Sequence, residues 1–500
     1  MTPKRSNSHA SRQTVRCKRL DAFDFARGRQ GRLWQTVGES EVIRNSLLPS
    51  SFAFFASFAV KVFAVSCVIA WCLPGGSLAA QADVPEGRGE PRPRPDKHAA
   101  GLVASPEPGW PQWRGPRRDG ISDEKGLLQS WPEGGPRLLW KITDLGRGWS
   151  SPIVTHGSIY ITGDVGDDLV VYALDLDGKP KWQAKNGAAW KGSWPGARAC
   201  LAASEGRLYH MNAHGRTACL DAGTGQEVWA VSVLERFESR NITWAMAECL
   251  LVDGPRVIVT PGGPKAMMAA LDSRTGRTVW VSEPVPSDKG GFDKAGYASP
   301  LLFEYGGRRH LVNYSSRHAF GVDADTGRLQ WAIKYVNPYE VNVCTPIYAD
   351  GHVFLVAPDD PDATMLRLAV RGDQTRVETA WTCDLDTCTG GGVLVDGIVY
   401  GTGYRNFRGW RGVDWKTGKT VSERRDLDSG SAIWADGRLW CLGENGTAAL
   451  LKPMPGGLEI CGRFDIATKK RDVWPHPVIC DGRLYLRYHE TLWCFDVRAR

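Results

Sequence analysis

The chain of 500 residues has no Cys-x-x-Cys-His segment, no Gly-x-Ser-x-Gly, no His-Glu-x-x-His and no phosphate loop. These absences remove the covalent haem attachment site, the serine nucleophile elbow, the zinc-protease helix and the glycine cradle of nucleotide-using enzymes. Hydrolase and nucleotide chemistry are therefore unsupported. Charge of one sign is also missing from most of the chain. The formal net charge is +7, but residues 1–59 hold ten Lys/Arg against four Asp/Glu, and Lys61 adds one more. Beyond Asp83 the two signs cancel. A neutral body has no electrostatic footprint for nucleic acid.

What is present in excess is glycine, at 57, and tryptophan, at 21. The two meet in a repeated hairpin. It reads Leu220-Asp-Ala-Gly-Thr-Gly-Gln-Glu-Val-Trp229, returns as Leu271-Asp-Ser-Arg-Thr-Gly-Arg-Thr-Val-Trp280, and again as Val322-Asp-Ala-Asp-Thr-Gly-Arg-Leu-Gln-Trp331. Weaker copies end at Trp182 and Val421. Asp and Thr can hydrogen-bond nearby backbone in a tight turn, and Gly accepts positive φ there. A Trp on the following strand has the surface to fill a gap between neighbouring units.

Each unit opens on a strand, often after Ser-Pro or Thr-Pro (Ser151-Pro152, Ser299-Pro300, Thr345-Pro346), then turns at a Gly such as Asp350-Gly351 or Asp436-Gly437. A second strand, a third leading into the Asp-x-x-Thr-Gly turn, and a fourth ending in Trp complete it. Asp-Gly between apolar runs is a hairpin signal. Four short strands recurring at this spacing describe a propeller blade. The closing tryptophans, Trp182, Trp229, Trp280, Trp331 and Trp381, are 47 to 51 residues apart. The spacing predicts an all-β, eight-bladed β-propeller with units starting near Ser150, Ala197, Met246, Ala298, Cys344, Gly391, Gly430 and Pro475. The fifth and sixth boundaries are the least marked, which leaves seven blades open. The last unit has only three strands, whereas an orphan strand around Trp140 precedes the first. That strand is expected to complete the last blade and remove the free sheet edge.

The N-terminal region divides into a basic extension (1–59), an apolar stretch (60–82) and a Pro/Arg/Glu-rich linker (83–109). Translation from Val60 would make 60–82 a signal peptide, with Lys61 as its positive end and Ala80-Gln-Ala82 as its cleavage site; residues 1–59 would then be untranslated. The run is also long enough to span a membrane, although Lys61 interrupts it. Export is the expectation, to the periplasm or cell envelope, with no transmembrane domain in the mature chain. The propeller is expected over 110–500.

These hairpins resemble the pyrroloquinoline-quinone (PQQ)-like β-propeller repeat family, over about Trp110 to Arg500. The opening Trp110-Pro-Gln-Trp-Arg-Gly-Pro116 is similar to the lead-in of exported propellers. The resemblance implies two different occupations for one scaffold. One branch comprises quinoprotein alcohol dehydrogenases. The other resembles the propeller component of outer-membrane protein assembly, which binds partners. Members that use the quinone typically stack it between a Trp and a disulfide of adjacent cysteines, hold calcium with Glu, Asn and Asp, and use an Asp base. No two cysteines are adjacent here, and no residues align with the calcium ligands or the base. The expectation is a non-catalytic binding or scaffolding module without a cofactor. PQQ and calcium belong only to the alternative, an alcohol dehydrogenase-like oxidoreductase.

Loops entering the first strands of a propeller form the mouth of its axial funnel, where ligands usually bind. Here those loops carry Arg147, Trp149, Trp194, Arg198, Trp244, Glu248, Tyr297, Trp474 and His476 as candidate ligand-binding residues. An aromatic precedes the first strand in five of eight units. Such a rim could stack a planar ligand, a sugar or a peptide, and expected partners are an envelope protein or peptide, or a small ligand at the mouth. The competing reading is that these rings wedge neighbouring blades together. The ten cysteines beyond Asp83 are expected to be small core residues, with a disulfide or two as the exception. No metal site is expected: Cys383 and Cys388 lack further ligands at zinc spacing, and Asp359 to Asp362 reads as a solvated loop.

Overall fold

The aspartate of each repeated turn builds that turn. In the computed structural model, Asp221 Oδ1 accepts from Thr224 N and Thr224 Oγ1, both at 2.8 Å. Asp272, Asp323 and Asp414 do the same with Thr275, Thr326 and Thr417. The structure describes residues 100–359, 362–389, 391–466 and 468–499. The basic extension and the signal peptide read at 60–82 lie outside them, as does most of the linker.

The strands form eight antiparallel blades arranged as a propeller. Blades 1 to 7 cover residues 153–188, 202–232, 251–281, 301–334, 347–383, 393–424 and 430–465. Blade 8 takes three strands from 478–496 and its outermost strand, Arg137–Ile142, from the other end of the chain. The register places Trp140 opposite Cys494 and Lys141 opposite Trp493. Eight is therefore the number of blades, and the closing strand is the one expected from its Trp. The only α-helix among the described residues is the single turn Val233–Arg236.

Tryptophan and glycine meet across the blade junctions. Trp182 Nε1 donates to Ala222 O at 3.1 Å in the next blade's turn, and Trp229 Nε1 to Ser273 O at 2.9 Å. Trp140 does the same to Leu176 O at 2.9 Å, joining blade 8 to blade 1. The ring covers the turn glycine: a Cβ on Gly225 would stand 2.5 Å from the Trp182 ring. Gly225→Ala is thus expected to cost about 3 kcal/mol, combining a clash with positive φ. Gly206→Ala has a similar φ of +71° but open space around it, and should cost only about 1 kcal/mol. Unfolding midpoints of the two variants check this; equal losses would show that the Trp contact is immaterial. The outermost strand of blade 7, Gly457–Asp465, has no Trp, and Trp131 fills the place from outside, against Gly462, Trp440 and Phe464.

Two of the serines before the inner-strand prolines bind the neighbouring unit. Ser151 Oγ accepts from His476 N at 2.7 Å, and Ser299 Oγ accepts from Cys249 N at 2.9 Å. These bonds satisfy backbone groups that an inner strand of three residues leaves over.

The segment from Gly101 to Trp131 forms a strap that bonds to all eight blades. Leu102 pairs with Phe303 and Trp110 with Val154; Pro111 O accepts from Ala203 N, and Leu128 N donates to Val497 O. Ile121–Ser122 adds a parallel strand inside blade 7. The linker boundary at residue 109 therefore moves. Residues 101–103 include backbone that pairs with blade 4, a pairing the Pro-containing composition of this segment does not signal. Three strap side chains enter the channel. Trp113 Nε1 donates to Thr345 Oγ1 at 2.9 Å, Arg114 Nη2 to Gly392 O at 2.6 Å, and Arg118 Nη2 to Cys249 O at 2.8 Å. The strap closes the end of the channel where the inner strands finish. The mouth is at the other end.

Candidate binding site at the mouth of the funnel

The connections from each outer strand to the next blade's inner strand surround the mouth. On the side of blades 8, 1 and 2 they bring four of the candidate residues together. Trp149 stacks on Trp474 with centroids 4.4 Å apart and planes at 27°. Trp194 lies 5.0 Å from Trp474, and the Arg147 guanidinium stands 5.9 Å over the Trp149 ring. Two glycines make the room. A Cβ on Gly148 would meet the Arg487 guanidinium, and one on Gly196 would meet the edge of Trp149. Trp149 is buried, whereas Trp194 and Trp474 keep part of their surface in solvent. The cluster therefore wedges blades 8 and 1 with one ring and presents two others.

Arg198 is a loop staple. Its guanidinium donates to Trp244 O and Trp194 O, both at 2.7 Å, and to Gly196 O at 2.6 Å. Burial draws its pKa down to about 10. Trp244 faces Tyr297 at 5.9 Å, and the Tyr297 hydroxyl accepts from Trp244 N at 3.3 Å. Burial pushes that hydroxyl up to about 12.

Glu248 and His476 do not stand at the rim. Both are buried below it, because the chain has already turned into the ring two or three residues before the inner strand. Glu248 accepts from Thr260 N at 2.8 Å and Thr260 Oγ1 at 2.6 Å. His476 lies 4.3 Å from Trp113 of the strap, and burial holds its pKa well below the ordinary value.

Burial raises Glu248 to about 7, against the opposing hydrogen bonds from Thr260. A carboxyl raised on folding contributes stability below its unfolded pKa that is lost as pH rises through the folded one. Glu248→Gln is expected to flatten the fall in stability between about pH 5 and pH 7, by up to about 3 kcal/mol. Denaturant midpoints at the two pH values check this. Glu444, also raised to about 7 by burial and then Asp428, leaves a residual slope.

Sequence reasoning missed the groups that hold this cluster from behind. Arg487, fully buried, donates to Ser150 O and Ser150 Oγ and, through Nε, to His489 O. The His489 ring meets Trp149 edge-on at 4.4 Å and lies 3.4 Å from Asp472. Arg487 and His489 lie on a strand end and its hairpin turn, outside the loops that the blade pattern singles out. Phe292 and Tyr339, 42% and 43% exposed, extend the aromatic rim toward blades 4 and 5. Being neither Trp nor next to an inner strand, they gave no signal. Asp359 pairs with Arg405 rather than lying free in its loop. Among the described residues, no three His, Cys, Asp or Glu are grouped to hold a metal ion.

Comparisons with known proteins place this geometry. Residues 184–406 match the PQQ_2 family model, described as outer membrane protein assembly factor BamB. The match spans under half of the chain, which over those residues is similar to PQQ-like β-propeller repeats. The chain is 33% identical over 162 residues to quinohemoprotein alcohol dehydrogenase ADH-IIG of Pseudomonas putida, covering 30% of this chain and 22% of that enzyme. The chain thus spans under a quarter of the length of that relative. BamB of Moraxella catarrhalis superposes with a TM-score of 0.51 at 14% identity, over 72% of this chain and 99% of that one. Quinohemoprotein alcohol dehydrogenase of Comamonas testosteroni gives 0.52 at 14% identity, over 78% and 81%. These structural likenesses establish the fold alone. No helix among the described residues is long and apolar enough to cross a membrane.

Proposed function

We propose that this protein is a non-catalytic binding or scaffolding propeller of the periplasm or cell envelope, which engages an extended peptide or a protein surface through its mouth. The observation that carries this reading is the partly exposed aromatic rim formed by Trp194, Trp244, Phe292, Tyr339 and Trp474. Half-exposed rings on a rigid scaffold give large contact area at little entropic cost, as interface hot spots require. The match of residues 184–406 to the BamB family model supports the same reading.

A calcium-held quinone fits these residues poorly. Both oxygens of Glu248 are already taken by Thr260. The buried guanidinium groups of Arg114 and Arg118 enter the channel and bond to backbone carbonyls at the inner strands. Their sign opposes a divalent cation. The likeness to quinohemoprotein alcohol dehydrogenases keeps an oxidoreductase as the second reading. Two measurements separate them. Purified protein with PQQ and calcium should give no dye-linked alcohol oxidation; turnover would overturn the first reading. A photo-crosslinking residue at position 339, used in the intact envelope, should give a discrete adduct that Trp194→Ala with Trp474→Ala weakens at least about tenfold.

A further inference from the structure

Two of the ten described cysteines face each other across a blade junction. Cys200 and Cys249 occupy equivalent positions, each one residue before a leucine that leads into an inner strand, in blades 2 and 3. Both are buried. Cys249 Sγ accepts from Cys200 N at 3.1 Å, so the Cys249 sulfur lies against the backbone of Cys200, and both cysteines are free thiols in the structure. Inner strands of adjacent blades converge at the axis, so equivalent residues there come closer than anywhere else in the repeat. In the folded protein Arg118 of the strap donates to Cys249 O and covers the pair; before it docks, the thiolate of either cysteine is the attacking form in disulfide formation.

We propose that Cys200 and Cys249 form a disulfide whenever the chain folds under oxidising conditions, stapling blade 2 to blade 3 at the axis. In the reaction the Cys249 thiolate attacks an oxidant of the disulfide class and breaks its S–S bond. The Cys200 sulfur, losing its proton, then displaces the second thiol from the mixed disulfide. One Sγ–Sγ bond forms, the cysteines lose two electrons, and the oxidant becomes two thiols. The pair is covered once Trp113, Arg114 and Arg118 are seated, so the exchange belongs to folding, before the strap docks. The staple closes a loop that contains all of blade 2, in a ring whose other junctions are held by hydrogen bonds, packing and ion pairs such as Arg256–Asp325. Only the natural source of the oxidant rests on the envelope reading given above.

The test uses the whole chain as expressed. One sample is unfolded, reduced and refolded with oxidised glutathione; a second is recovered from the envelope with thiols blocked at lysis. Both are digested without reduction and mapped by mass spectrometry. The refolded sample should yield linked peptides containing Cys200 and Cys249, lighter than the reduced pair by two hydrogens. Cys200→Ala should abolish the link and lower the apparent unfolding midpoint of the oxidised protein by about 5 °C, with little effect under reducing conditions. Separately alkylated Cys200 and Cys249 in the refolded sample overturn the proposal. A link in the refolded sample with free thiols in the envelope sample upholds the pairing and counts against the oxidising location instead.

Discussion

A chain that starts after Ile142 is expected to yield no soluble monomer. Blade 8 would then end on Thr491–Asp496, whose partner Arg137–Ile142 supplies the outermost strand. Leu492, Trp493 and Phe495 are buried in the intact protein, and the truncation uncovers the sheet edge that carries them. An unpaired apolar edge is a template for association. The same cut removes Trp140 from the turn at Gly178 and the strap from every blade. A milder form of the experiment isolates the strand: Trp140→Ala keeps the backbone pairing but empties the junction between blades 8 and 1. It should cost about 3 kcal/mol. Size-exclusion profiles for the truncation and thermal midpoints for the substitution read the two effects. A well-behaved monomer lacking residues 1–142 would show that the ring closes without its N-terminal strand.

Arg118→Met is the second change with a large expected effect. The guanidinium is buried and donates to Gln112 Oε1 at 3.1 Å, Leu250 O at 3.0 Å and Cys249 O at 2.8 Å. Methionine fills most of the volume but leaves three acceptors without donors in a channel that the strap closes. Burial, with the Arg114 cation beside it, lowers the pKa of this group to about 10, yet it is retained as a cation because those acceptors converge on it. The loss should be about 3 kcal/mol. It should fall first on the strap, which would then open as a unit. Trypsin should cut within residues 114–118 up to about 100-fold faster, while the blades melt at a nearly unchanged temperature. Uniform loosening of the whole propeller would contradict a strap held chiefly by this residue.

The architecture was legible because it is local and repeated. The Asp-Thr-Gly turns need no partner outside ten residues, and the Trp that follows each one carries a regular spacing. Even the closing strand could be read, since Trp140 matches a position that the last unit lacks. The strap was not legible. Trp113, Arg114 and Arg118 look like parts of a polar lead-in, and only the ring brings Thr345, Gly392 and Cys249 within their reach. The mouth was legible in part. Trp149, Trp194 and Trp474 do meet, as their shared place before an inner strand suggests. Arg198 is taken up by loop carbonyls, and Glu248 and His476 have turned inward. Which way a side chain faces at a strand entry depends on a single residue of register, and the blade pattern does not fix the register at that point.

The claim on which the rest depends is that the two ends of the folded region form one sheet. Arg137 and Asp496 are register partners at its margin, and both can be replaced by cysteine without touching the core. In the double variant Arg137→Cys with Asp496→Cys, mild oxidation should link residues 137 and 496 within one chain, in a monomer with the parent's unfolding profile or a higher one. No link, or a link found only between chains, would mean that blade 8 is not completed by this strand and that the ring is not closed in this way.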